Sequence, residues 1–248
     1  MVLAGLAGFA QGQEVRPAYE VATIKLNASA SQNRGVQEDK AQVVFTSVPL
    51  KNLIQRAYNA YPFQVRCPGW LEDVYVDIFA KYPPDLKDEE RPLMLRTLLE
   101  DRLKLTVHRE SKEMQGYALV IAKSGFKLKP AETGPPVTPS LGSIRPGLQL
   151  QGGFRRTTLL AKKSSMASLA DLVTRIWDQM VVDKTGITGV YDFELRWTND
   201  DHNPVPSDDP FPALFDSIQE ALGLRLQPEK VTAEIIVVDH VERVPIGN

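Results

Sequence analysis

Few residues in this chain are of types that do covalent chemistry, and they are scattered. The single cysteine, Cys67, stands in Val65-Arg66-Cys67-Pro68-Gly69, where the neighbouring guanidinium would favour a thiolate. A small apolar side chain at a strand end is the plainer expectation, because a free cysteine is usually buried and inert. Of the three histidines, His108 alternates with apolar residues and His240 follows Asp239. A carboxylate beside an imidazole can orient it for a proton or a metal. Too few ligand-type residues cluster there, so surface-strand histidines are the favoured reading of both. His202 sits among Asp200, Asp201 and Asn203 without the spacing of a calcium loop. No G-x-S-x-G elbow, G-x-G-x-x-G loop, P-loop or H-E-x-x-H helix occurs. Asp77 and Asp192 recur in matching contexts and could act as an acid and base pair. Local caps or pairings explain them as well. No catalytic residue, no metal ligand and no cofactor is therefore expected.

The aromatic residues Trp70, Tyr75, Tyr82, Trp177, Tyr191 and Trp197 also recur at matching places. Rings in such positions usually mark packing, and as a group they could present a peptide- or carbohydrate-binding face. The candidate interaction residues are Trp70, Tyr75, Asp77, Trp177, Tyr191, Asp192 and His240. The 248 residues carry 29 Lys+Arg against 31 Asp+Glu, a net charge of −2, which argues against a nucleic-acid binder that relies on a basic field. One cysteine excludes an internal disulfide framework. No apolar run approaches the ~20 residues that span a bilayer, so no transmembrane span is expected.

The elements that must position these residues repeat. Leu50, Leu53, Ile54, Ala57 and Tyr58 mark one helix face, with Ser47 as expected cap and Pro49 in the first turn. Leu169, Leu172, Val173, Ile176 and Trp177 repeat that spacing 119 residues later. Each helix is followed by a short β-prone piece, a glycine turn and a strand, Val74–Tyr82 and Val190–Trp197. A second helix follows, near Asp88–Leu103 and Phe211–Leu222. Two closing strands end each half: Leu105–Glu110 with Tyr117–Ala122, and Leu224–Gln227 with Glu234–Asp239. The expected fold is α+β, two tandem β-α-β-β-α-β-β modules with helices packed on mixed sheets. A strand at Glu20–Leu26 would complete or cover an edge.

Residues 1–13 are uncharged and rich in Ala, Gly and Leu, as in a truncated signal peptide. The expected organisation is 1–13 signal-like, 14–124 first module, 125–154 Pro/Gly-rich linker and 155–248 second module.

Several phrases carry a resemblance: PLKNLIQRAY, PGWLEDVYVDIFAK, LLEDRLKLTVHRE, VVDKTGITGVYDFELRW and LGLRLQPEKVTAEIIVVDHVER. Together they resemble the DUF3738 family of uncharacterised exported acidobacterial proteins, from about Tyr19 to the C-terminus. That family implies no activity and no site residues. Each half is also similar to the short N-terminal module of secretins and TonB-dependent receptors, through SLADLVTRIW, VVDKTGITG and LFDSIQEALGLRLQ. That resemblance implies a periplasmic contact domain. The expected function is a non-catalytic, exported cell-envelope protein that docks partner segments along a sheet edge. The alternatives are an exported hydrolase, or a small-ligand or glycan sensor using a cleft between the modules.

Overall fold

A computed structural model describes residues 16–27, 30–131, 148–152, 156–198 and 213–247. The 1–13 segment, His202 and residues 132–147 of the expected linker lie outside the described residues. The chain forms two compact units. The first is Met1–Glu110 with Glu234–Asn248, and the second is Ser111–Ala233.

The first unit is built on an antiparallel sheet of β1 (Val21–Asn27), β2 (Gly35–Glu38), β3 (Gln42–Pro49) and β5 (Tyr75–Lys81), in the order β1-β5-β3-β2. Alternation puts Val43 and Phe45 of β3, and Val76, Ile78 and Ala80 of β5, into the core. Helix α1 (Leu50–Ala57) buries Leu50, Leu53, Ile54 and Ala57, the periodic face of the sequence. Helix α2 (Arg91–Leu103) follows a short 3-10 turn and buries Leu95, Leu98, Leu99 and Leu103 in the same cluster. Ser47 does not cap α1, contrary to expectation; Pro49 occupies the cap position. Ser47 instead takes φ +49° at a break in the β3–β5 register, and its N–H donates to Asp77 Oδ1 at 2.7 Å. Its hydroxyl accepts from Ser31 N.

The second unit has an antiparallel sheet of β7 (Leu148–Gly152), β8 (Arg156–Ser164) and β10 (Tyr191–Thr198), in the order β10-β8-β7. Strand β7 falls within the stretch expected as linker. It forms because Leu148 and Leu150 pair with Ala161 and Leu159 of β8 and join the second core. Helix α3 (Met166–Trp177) starts at Ser165, whose hydroxyl accepts from Ser168 N at 3.1 Å. Helix α4 (Leu214–Ser217) runs into a π-helical turn, Ile218–Leu222, ended by Gly223 at φ +69°. A Cβ there would lie 1.9 Å from Gly125 O, so the position requires glycine.

The closing strands differ most from expectation. Each expected pair is one continuous strand: β6 (Thr106–Ile121) and β11 (Leu224–His240). The polar stretch 111–116 and the one around Pro228 hold no turn, because the two strands are neighbours in a sheet whose outer strands are β4 (Val65–Arg66) and β9 (Val181–Asp183), in the order β4-β11-β6-β9. Lys230 reaches Glu113 at 3.1 Å, and Arg109 pairs with Glu234. The far ends of β6 and β11 are exchanged between the sequence halves. Ile236 and Val237 pair in parallel with β4 (Val65–Arg66), and Ile236, Val238 and Val241 lie in the first core. Tyr117, Ala118 and Leu119 pair in parallel with β9 (Val181–Asp183), and Leu119 lies in the second core. The fold is α+β, with several sheets and four helices among the described residues.

Candidate functional site

Strand β1 is one of the two outer strands of the first sheet. Its residues alternate: Val21, Thr23 and Lys25 are exposed, and Ile24 is buried. Two grooves each take one wall from β1. The first, about 300 Å³, lies between residues 18–22 and Met94, Thr97, Leu98, Asp101 and Arg102 of α2. The second, about 390 Å³, lies at the other end of the strand, between Leu26 and Asn27 and the side chains of Trp70, Asp73, Val74 and Arg243. Val21 and Leu26 are five steps apart, about 17 Å along an extended chain.

The second groove is the place where sequence candidates meet. Trp70, in a 3-10 turn (Gly69–Leu71), has the Arg243 guanidinium 4.4 Å from its ring centre. Tyr75 opens β5 opposite Asn27, and Arg34 lies 5.3 Å from its ring centre. Asn27 Nδ2 donates to Asp77 Oδ2 at 2.8 Å. Trp70, Tyr75 and Asp77 are thus linked through Asn27 at one end of the sheet. Asp77 anchors the Ser47 bulge and the end of β1.

The other candidates stand apart from this groove. Trp177, half-buried, packs against Phe215 and Tyr117. Tyr191 is buried, stacks edge-on with Phe126 and donates to Thr188 O. Asp192 accepts from Lys163 N at 2.7 Å, beside Lys162; that amide bond leads in holding its carboxyl below the ordinary range. Lys163 takes φ +47°, as Ser47 takes +49°. His240 is exposed and meets Glu242 at 3.1 Å. Asp239 orients His108, its cross-strand neighbour, at 2.7 Å. Glu110 takes the other ring nitrogen, and the Glu110 and Asp239 hydrogen bonds raise His108 above the ordinary histidine value. Cys67 is pushed up by burial, with Lys51 opposing; Arg66 is turned to Glu110. Among the described residues, no three of His, Cys, Asp and Glu come together as a metal site. No helix among them is long and apolar enough to cross a membrane.

Sequence reasoning missed a half-buried network at Glu38, the last residue of β2. Its carboxylate accepts from Arg56 of α1, from Arg91 of α2 and from the Tyr82 hydroxyl. Burial works to raise Glu38, but the Tyr82 bond, the Arg56 charge and Arg91 outweigh it and hold the carboxyl below its ordinary value. Tyr82 is raised by burial and by Glu38; Tyr19, whose ring lies tilted against it, is raised by burial first. Nothing in the spacing of Glu38, Arg56 and Arg91 foretells this meeting. It also missed Arg34, Arg102 and Arg243.

The geometry describes an α+β protein with an outer strand that has a groove at each end. The chain belongs to the DUF3738 family, described as a protein of unknown function, which matches residues 51–241. No curated protein and no solved structure matches the chain.

Proposed function

We propose that this protein holds a segment of a partner protein at the outer strand β1, with side chains of that segment in the grooves at the two ends of the strand. The observation that carries this reading is that β1 is outermost in its sheet and walls a groove at each end. Main-chain hydrogen bonds at the ends of the strand would add affinity, and the grooves would take side chains and supply specificity. Peptides selected from an unbiased library against the full chain test it. Hydrogen exchange at the β1 amides should slow when such peptides bind. Protection confined to other elements overturns the reading.

The same proposal places the protein outside the cytoplasm, in the cell envelope, on the composition of residues 1–13. It also treats the two sequence halves as copies of one module of the secretin/TonB contact type. Matching details support the copying. Ser47 and Lys163 share a left-handed backbone, and each donates its N–H to an aspartate, Asp77 or Asp192. Lys104 and Gly223 end α2 and the π turn in the same left-handed region. Tyr58 with Arg96, and Trp177 with Phe215, stack at the same offset of 119 residues.

A further inference from the structure

We infer that the groove of Trp70 and Arg243 binds a free apolar α-amino acid, with its carboxylate on Arg243, its ammonium on Asp73 and Asn27, and its side chain against Leu26 and Val74. The inference goes beyond the docking reading. It uses side chains alone, and such a ligand and a partner's side chain would occupy the groove in turn.

The groove holds about 390 Å³, at the small end of the ~300–1,000 Å³ of ordinary ligand sites, and all its walls belong to the first unit. Arg34, Asp73, Asp77 and Arg243 bring two positive and two negative charges to this end of the sheet. Asp77 and Arg34 are committed elsewhere. Asp77 accepts from Ser47 N and Asn27 Nδ2, and Arg34 donates to Ser31 O and lies against Tyr75. Asp73 and Arg243 are left. Both are exposed on the groove wall, and among the described residues neither pairs with the other or with any other charged side chain. An unpaired cation and an unpaired anion facing one groove, with no net charge left over, match a ligand that carries both charges itself. A ligand with one charge would leave the opposite group unpaired, and a neutral polyol would gain no charge attraction from either.

The donors and acceptors agree with a zwitterion. The Arg243 guanidinium, held 4.4 Å from the Trp70 ring centre, keeps its N–H groups outward for a planar two-oxygen acceptor. An ammonium has three donors. Asp73 offers it a carboxylate, and Asn27 an amide oxygen, since it is the Nδ2 of that side chain that donates to Asp77. Leu26, Val74 and Trp70 form the apolar walls between these groups, so the ligand's own side chain is aliphatic. The groove at the start of β1 has no such opposed pair, because Asp101 is taken by Arg16 and Arg102 donates to Ile246 O.

The probe is leucine, titrated into the full chain and followed by proton–nitrogen NMR at the Trp70 indole N–H and the Asn27 side-chain amide. A dissociation constant of about 0.1–1 mM is expected for so open a site. N-acetylleucine lacks the ammonium and leucinamide lacks the carboxylate; each should bind about tenfold more weakly, the scale of one charge-assisted pair. Arg243→Gln should erase the difference between leucine and leucinamide, and Asp73→Asn the difference between leucine and N-acetylleucine. Each variant should keep the other preference, which a general loss of the groove would not do. Both side chains are exposed, and Arg243 lies beyond the last core residue, Val241, so both variants keep the fold. Equal binding of leucine, N-acetylleucine and leucinamide overturns the inference, and so does leucine binding that neither substitution changes. Tighter binding of methyl glucoside than of leucine overturns it and assigns the groove to a polyol. Absence of any shift at Trp70 and Asn27 with leucine overturns it as well. None of these results touches the docking reading, which is read from the β1 amides with the selected peptides.

Discussion

Shortening Ile236 to alanine should loosen the first unit, although this residue lies 12 positions from the C-terminus and in the second sequence half. Ile236 is 2% exposed, pairs with Val65 of β4 and belongs to the core formed by α1, α2 and β5. Removing a buried isoleucine's outer carbons costs about 2–5 kcal/mol, from lost burial and from the cavity left behind. A mid-range loss of about 3 kcal/mol lowers the melting temperature of a unit this size by about 10–20 °C. Hydrogen exchange read by mass spectrometry locates the effect, since local openings follow local stability. Protection should fall in β4, α1 and α2. The reciprocal variant is Leu119→Ala, in the end of β6 that pairs with β9 and enters the second core. Its protection loss should fall on α3, β9 and β8. If Ile236→Ala instead loosens α3 and β8 while α1 and α2 keep their protection, the strand exchange is wrong.

Four more outcomes follow from single sites. Glu38 is held below its ordinary value in the folded protein, so its contribution is full above the unfolded carboxylate range and is lost as pH falls through the folded value. Urea midpoints measured from pH 7 down to pH 3 should therefore fall more steeply in the wild type than in Glu38→Gln. His108 is raised, so its pairings with Glu110 and Asp239 contribute fully below the unfolded histidine value and are lost as pH rises through the folded one; NMR titration should place it above free histidine and bring it down in Glu110→Gln. Lys104 ends α2 at φ +49°, so Lys104→Gly should add about 0.5–1 kcal/mol by relieving a left-handed side-chain residue. Gly223→Ala should cost about 2 kcal/mol or more, because the added carbon meets a backbone oxygen. Denaturant melts check both.

Helices α1 and α3 were legible because their apolar residues recur at helical spacing and one face of each meets a core. The matched carboxylates Asp77 and Asp192 were legible as a pair of equivalent positions. Their partners were not, because a left-handed residue at Ser47 is set by an acid 30 residues away. The closing strands misled for a definite reason. Ser111–Gly116 and the stretch at Pro228 have turn composition, yet they are extended because β6 and β11 lie side by side. Gly116 belongs to that arrangement: a Cβ there would come within 2.6 Å of Met180 O and of Val231. The groove at the end of β1 was out of reach for a related reason. It joins Asn27, Trp70 and Arg243, and Arg243 arrives there only because the end of β11 belongs to the first unit.

The docking account is tested most directly by a crystal structure of the full chain with a library-selected peptide. It predicts the peptide beside β1, with side chains in the grooves at the two ends of the strand. A peptide seated on β2, on the β7 or β10 edge, or away from every sheet would contradict it.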